Sequence, residues 1–309
     1  MLFRSGGGSA TGGAGGSPIT EYPVPSVGLL DAIAAGPDGN VWFTEFRSNM
    51  RTALGRISPS GVVTEFTSSS DGHFDGIVAG PDGALWFTES YANKIGRVTT
   101  AGVFKEYPLP TANVWPHRIA VGPDGNLWFT ESDGNSIGRI TTSGVVTEFP
   151  IPTIRSAPWG IAAGSDGNMW FTEKVGNNIG RISVAGTISE YPLPAAESYP
   201  LGITAGPDGS LWFAEYKVLQ IGRITTSGAI TELPLPPDHF GPIELAARPD
   251  GALWFISNSE VVGLATSSAF TPFPTPTPAS GLQQITVGGD GNLWFTEQQG
   301  QKIGRLVSP

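Results

Sequence analysis

The stretch Gly122-Pro123-Asp124-Gly125-Asn126-Leu127-Trp128-Phe129-Thr130-Glu131 recurs in seven copies, and this repeat constrains the fold more than any other feature. Its tryptophans are Trp42, Trp86, Trp128, Trp170, Trp212, Trp254 and Trp294, spaced 44, 42, 42, 42, 42 and 40 residues apart. A period of that length marks a small unit that cannot bury its apolar face alone and must stack on its neighbours.

Each copy carries four strand signals, lettered a to d. In the third copy, strand a is about Arg118 to Val121, and Gly122-Pro123-Asp124-Gly125 is a tight turn in which Pro presets φ and Asp-Gly accepts turn geometry. Strand b, Asn126 to Glu131, places Trp and Phe where β propensity is high. Strand c is Ile137 to Ile140 and strand d is Val145 to Phe149, with Gly-containing turns between them. Every connection is short, so neighbouring strands pair antiparallel. Seven such units predict an all-β fold, a seven-bladed β-propeller of four-stranded blades, with Trp and Phe of strand b packed between blades.

The ends predict how the ring shuts. The last copy stops at strand c, Ile303-Gly304-Arg305-Leu306, while Ile19-Thr20-Glu21-Tyr22-Pro23 matches the strand d segment Val146–Pro150. The amino-terminal strand is therefore expected to complete blade seven and remove an exposed sheet edge. Residues 1–18, mostly Gly, Ser and Ala, read as a flexible leader without the apolar core of a signal peptide, which leaves 19–309 as one propeller domain. The compartment stays open: cytoplasmic if Met1 is the true start, extracytoplasmic if an export signal once preceded it.

Charged residues are only 14% of the chain and the formal net charge is −10, which argues against nucleic acid and anionic membrane as partners. There is no cysteine, hence no disulfide or thiol nucleophile, and no apolar run reaches the ~18 residues of a membrane span. The chain is expected to act as a monomer.

Six copies end strand b in Glu (Glu45, Glu89, Glu131, Glu173, Glu215, Glu297), and six carry Arg in strand c (Arg56, Arg97, Arg139, Arg181, Arg223, Arg305). Strand d adds Glu65, Glu106, Glu148, Glu190 and Glu232, with Glu21 serving blade seven. The simplest reading is structural: each Arg lies between two carboxylates across strands. Blade six loses all three, with Ser257 at the Glu position, and a stiff Pro274-Thr275-Pro276-Thr277-Pro278 connector follows it.

Where the repeat varies is more informative. Folding the a–b hairpin about Asp124 sets residue 117 across from residue 131. Around the ring the pairs are Asp31 with Glu45, Asp75 with Glu89, His117 with Glu131, Trp159 with Glu173, Leu201 with Glu215, Ile243 with Ser257, and Gln283 with Glu297. These belong at one mouth of the channel, polar and acidic over blades seven to three and apolar over blades four to six. Such a mouth suits a small amphipathic molecule, or a substrate held beside a divalent cation. The histidines His73, His117 and His239 all fall in d-to-a loops on that face. His117 is the candidate base, with Glu131 and Asp75 to orient it or hold a cation. Trp115 and Trp159, the two tryptophans outside the strand b series, flank it and can stack on a ligand. No nucleotide-binding glycine motif follows a strand, and neither Gly-x-Ser-x-Gly nor His-Glu-x-x-His occurs in a fitting context.

The Gly-Pro-Asp-Gly-x-Leu-Trp-Phe-Thr-Glu, Asn-x-Ile-Gly-Arg-Ile-Thr and Thr-Glu-Phe-Pro-Ile-Pro motifs resemble the virginiamycin B lyase (streptogramin B lyase) family over about residues 19–309. The resemblance implies linearisation of cyclic depsipeptide antibiotics, with the ester opened by elimination and Mg²⁺ as cofactor. A His takes the proton beside the carbonyl, and carboxylates hold the metal. The family carries Pro-His at the start of strand a in two consecutive blades, one preceded by Glu. Here Pro116-His117 matches one of them and Glu131 its downstream carboxylate, whereas the neighbouring blades offer Asp75 and Trp159, and Trp115 stands where the Glu would be. By this reading His117 and Glu131 are catalytic, Asp75, Glu89 and Glu131 lie at the metal, and Trp115, Trp159, His73, Leu201 and Ile243 contact substrate, a cyclic peptide. Two alternatives stand beside it: a non-catalytic ligand-binding propeller, and a lactonase-like metal-dependent hydrolase.

Overall fold

The structure, a computed structural model, describes residues 17–47, 52–70, 72–236, 240–264 and 270–307. Residues 1–16 of the expected leader, and His239, lie outside the described residues. Seven four-stranded antiparallel sheets form a seven-bladed propeller, with no helix among the described residues and so none long and apolar enough to cross a membrane. In blade three the strands are Pro116–Val121, Leu127–Glu131, Ser136–Ile140 and Val146–Pro150, innermost to outermost. The ring closes as expected: Ile19–Pro23 pairs antiparallel with Lys302–Leu306, from Ile19 opposite Leu306 to Pro23 opposite Lys302.

The core lies between blades. Trp86, Ile95 and Tyr107 of blade two pack on Ile119, Leu127, Phe129 and Ile140 of blade three. The same combination repeats at the next junction, where Trp128 and Ile137 meet Ile161, Met169 and Phe171. Truncating such a buried aromatic to Ala costs roughly 3–5 kcal/mol. In every blade but the sixth the strand b Phe ring lies against the strand c glycine, so a Cβ at Gly138 would come within 2.1 Å of the Phe129 ring. The tight-turn Asp has a second role, because Asp124 Oδ1 accepts the Trp128 indole N–H at 3.0 Å.

The strand c arginines do not sit between two carboxylates. Arg139 pairs across the strands with Trp128, while Glu131 pairs with Ser136, three positions away. At about 3.3 Å per residue that separation is some 10 Å. The Arg139 guanidinium lies 5.3 Å over Trp128 and 5.5 Å over Phe149, and reaches the turn carboxylate of Asp124 at 3.9 Å. In blades two and five this turn contact is tighter, Arg97 to Asp82 at 2.7 Å and Arg223 to Asp208 at 2.6 Å. The strand d Glu side chains find other cations: Arg47 for Glu65 at 2.9 Å, Lys94 for Glu106 at 2.6 Å, and Lys302 for Glu21 at 2.5 Å.

Candidate functional site

The a–b hairpins carry a β-bulge that the repeat does not reveal. In blade three Pro116, not His117, stands opposite Glu131, and Ile119 stands opposite Phe129. Residues 117 and 118 together face Thr130 alone, two residues against one, which disrupts the ladder and re-aims side chains. Blades one, two, four, five and seven shift at the same place. The pairing of Asp31, Asp75, His117, Trp159, Leu201 and Gln283 with the strand b glutamates is thus displaced by one residue.

The bulge separates two groups of candidates. Glu131 is buried with Oε1 unpartnered among the described residues, and burial, reinforced by Glu148, pushes its pKa up to about 8. Glu89 is buried likewise, raised to about 7 by desolvation against a bond from Ser70 Oγ. The electrostatic partners of His117 are Arg118, Asp75 and Lys174, and neither Glu89 nor Glu131 is among them.

At the mouth, by contrast, the structure gathers Asp31, His73, Asp75, His117 and Trp159. His73 Nδ1 lies 2.9 Å from Asp75 Oδ1, and one ligand atom each of Asp31, His73 and Asp75 falls within a 4.8 Å group. Burial alone would lower His73, but the bond to Asp75 and the charges of Asp75 and Asp31 outweigh it, so its pKa is raised. Desolvation raises Asp31 despite Arg118; for Asp75 it is outweighed, first by the His73 bond, and the pKa falls. The His117 ring sits 3.7 Å, centroid to centroid, from Trp159. Its Nδ1 has no partner among the described residues, and burial followed by the Arg118 charge lowers its pKa to about 3. His117 is therefore a neutral imidazole.

Apolar walls complete the mouth. Leu201 belongs to a cluster against which Trp159, Tyr199 and Ile243 pack. Opposite, Trp115 meets Tyr91 edge-on at 4.8 Å, and Tyr91 and Phe46 both lie against His73. Lys174 Nζ stands 3.8 Å over Trp159 and 4.8 Å from Tyr199, setting a cation across from the acidic side. Tyr91, Trp115, Ile154, Val175, Tyr216 and Phe240, all exposed, lie in the b–c and d–a connections that share this face.

Sequence reasoning passed over the residue one place further along each inner strand: Ala32, Gly76, Arg118, Gly160, Gly202, Glu244 and Gln284. Arg118, Glu244 and Gln284 line a channel cavity of about 200 Å³. Arg118 bonds the Asp75 carbonyl, stands 3.5 Å from Asp31 Oδ1 and reaches to 3.7 Å from Glu244 Oε2. Desolvation pushes Glu244 up to about 7 against the Arg118 charge. Gln284 Oε1 accepts the Ile33 N–H at 2.7 Å. The size pattern was the available signal: three long polar side chains among four residues no larger than Ala.

The virginiamycin B lyase family model matches residues 13–204 and 166–308, overlapping as a repeat allows. The chain is 36% identical to selenomethionine-substituted virginiamycin B lyase from Staphylococcus aureus, with a TM-score of 0.88 over 94% of this chain and 99% of that one. A catalytically inactive His-to-Ala variant of the Staphylococcus aureus lyase, solved with quinupristin, matches with the same identity, TM-score and coverage. A streptogramin B lyase structure is 35% identical with a TM-score of 0.87 over 93% of this chain and 96% of that one. Among curated proteins no sequence match is found.

Proposed function

From a chain that belongs to the virginiamycin B lyase family, we propose that the mouth over blades one to five binds an amphipathic, ester-linked cyclic peptide and opens it by elimination. The observation that carries this is His117, a neutral imidazole with a free Nδ1, beside Asp75 and against Trp159, at a mouth rimmed by exposed aromatic groups. The base removes the proton next to the ester-bearing carbon, and the C–O bond breaks to leave an alkene and a carboxylate. The aromatic and aliphatic rim holds the apolar face of the ring, while Lys174 donates to its carbonyls and Asp75 accepts from its amide N–H groups. The family resemblance implies Mg²⁺. No step is assigned to it, because Asp75, Glu89 and Glu131 do not converge on one point.

A second reading has its own support. A base with a pKa near 3 has little drive to take a proton at neutral pH, which favours a binding propeller without turnover. Incubation with quinupristin and Mg²⁺, read by mass spectrometry and chromatography, separates the readings. Elimination gives a linear isomer of unchanged mass, hydrolysis a product heavier by one water, and a binder no product. His117→Ala abolishing the isomer supports His117 as base. Loss with His73→Ala alone transfers the role to the His73–Asp75 pair, and no isomer from the native protein overturns the proposal.

A further inference from the structure

We propose that Asp31, His73 and Asp75 form a binding site for a first-row divalent cation such as Mn²⁺, Co²⁺ or Zn²⁺, sharing only Asp75 with the carboxylate set that the family resemblance implies. Two carboxylates and an imidazole from consecutive blades bring one ligand atom each within 4.8 Å of the others. One ion at ligand distances of about 2.0–2.2 Å spans at most about 4.4 Å between two ligand atoms, so three atoms within 4.8 Å need to close by no more than a few tenths of an ångström to share it.

A second observation points to a ligand. Asp75 is only 9% exposed in its side chain, yet Oδ2 has no hydrogen-bond partner among the described residues. An uncommitted carboxylate oxygen at that depth carries a desolvation cost that a cation would offset. Arg118 gives its bond to the Asp75 backbone carbonyl and extends toward Glu244, and it reaches Asp31 only at 3.5 Å. Asp75 Oδ1 is thus held by His73, the Ser90 hydroxyl stands by the carboxylate, and Oδ2 is left for whatever the mouth admits.

The donor set selects the class of ion. Mg²⁺ prefers an octahedral shell of oxygens, and imidazole nitrogen is a better ligand for the later first-row metals. Aromatic groups at the rim, Phe46 and Tyr91, pack on the His73 ring and fix its orientation.

The test is isothermal titration of the full chain with MnCl₂, CoCl₂, ZnCl₂ and MgCl₂ separately, with Co²⁺ also followed by its visible absorption. The expected result is one site per chain, at least about ten-fold tighter for the ions that accept nitrogen than for Mg²⁺. Asp75→Asn is expected to weaken binding at least about a hundred-fold, since even an outer-shell partner is worth 10–100-fold. His73→Gln should remove the preference over Mg²⁺, and the exposed Asp133→Asn should change nothing. Circular dichroism of each variant checks the fold, and His73→Gln keeps the test alive if Asp75→Asn fails to fold. Absence of a stoichiometric site, equal affinity for Mg²⁺, or Co²⁺ binding unaltered in His73→Gln overturns the assignment. None of these readouts requires turnover, so failure of the elimination assay leaves this inference standing, and its failure leaves the elimination proposal standing.

Discussion

Thr88→Val is the most direct probe of how the site is built. Thr88 is fully buried in strand b of blade two, where its hydroxyl accepts the Gly76 N–H at 2.9 Å and donates to the His117 carbonyl of blade three at 2.6 Å. Valine has nearly the same shape, so little cavity or packing effect accompanies the change. It leaves one buried N–H and one buried C=O without a partner, each costing about 1–3 kcal/mol, with the carbonyl at the lower end because of its second lone pair. The expected loss is ~2–4 kcal/mol. For a domain of about 290 residues the unfolding entropy is about 0.6 kcal/mol/K, so Tm should fall by ~3–7 °C. Urea unfolding followed by tryptophan fluorescence gives the free energy directly. Thr88→Ser, which keeps the hydroxyl and loses a methyl, should cost about 1 kcal/mol or less. The reasoning is refuted if Thr88→Val stays within about 0.5 kcal/mol of the native protein, or if Thr88→Ser is as damaging, since either result would remove the hydroxyl from the argument.

Other predictions test the charges and the closure. Burial raises Glu131 and Glu173 to about 8 and Glu89, Glu215 and Glu297 to about 7, so the native state holds protons that the unfolded chain releases above about 4.5. That stability is fully present below the unfolded pKa and is lost as pH rises through 7 to 8, so the urea midpoint should fall from pH 5.5 to 8.5, with a smaller fall in Glu131→Gln. Deleting residues up to Pro25 removes the strand paired with Lys302–Leu306 and should lower Tm sharply, whereas deleting residues 1–16 should leave Tm unchanged; equal melting would contradict the closure. Arg118→Met strands Asp31 and Glu244 without their cation and should cost about 3–5 kcal/mol in urea unfolding, with partial recovery in Arg118→Met/Glu244→Gln.

The repeat made the scaffold legible because each period reports the same local environment seven times. Tryptophan spacing gave the blade count, and the match of Ile19–Pro23 to a strand d gave the closure. The mouth was legible through the variable strand a position, which does bring Asp31, Asp75, His117 and Trp159 to one side. What failed was register. Counting from the Asp124 turn assumes an unbroken ladder, and one inserted residue per inner strand moves the strand b glutamates away from the candidate base. The arginines depart from charge complementarity for a related reason: a three-residue offset sets Arg139 beside Trp128 instead of Glu131.

The threonine in Leu-Trp-Phe-Thr-Glu explains how most blades tolerate that insertion. A bulge frees an N–H inside a sheet buried on both faces, and an unpaired buried donor is costly. In blades one, two, three, four and seven the threonine hydroxyl accepts it: Ala32 to Thr44, Gly76 to Thr88, Arg118 to Thr130, Gly160 to Thr172 and Gln284 to Thr296. Blade five has Ala214 instead, and there the Gly202 N–H turns to the Ile243 carbonyl of the next blade at 2.9 Å. Blade six has Ile256, which offers no hydroxyl, and its inner strand pairs without a bulge, Glu244 directly opposite Ile256. In blade six, then, the ladder is regular, and its inner strand sets Glu244 3.7 Å from Arg118, which Asp31 of blade one approaches from its own inner strand at 3.5 Å. In the five blades that keep it, the residue that reads as scaffold in the repeat satisfies the N–H that the bulge frees, and so supports the register that sends one side chain to the mouth and the next to the channel.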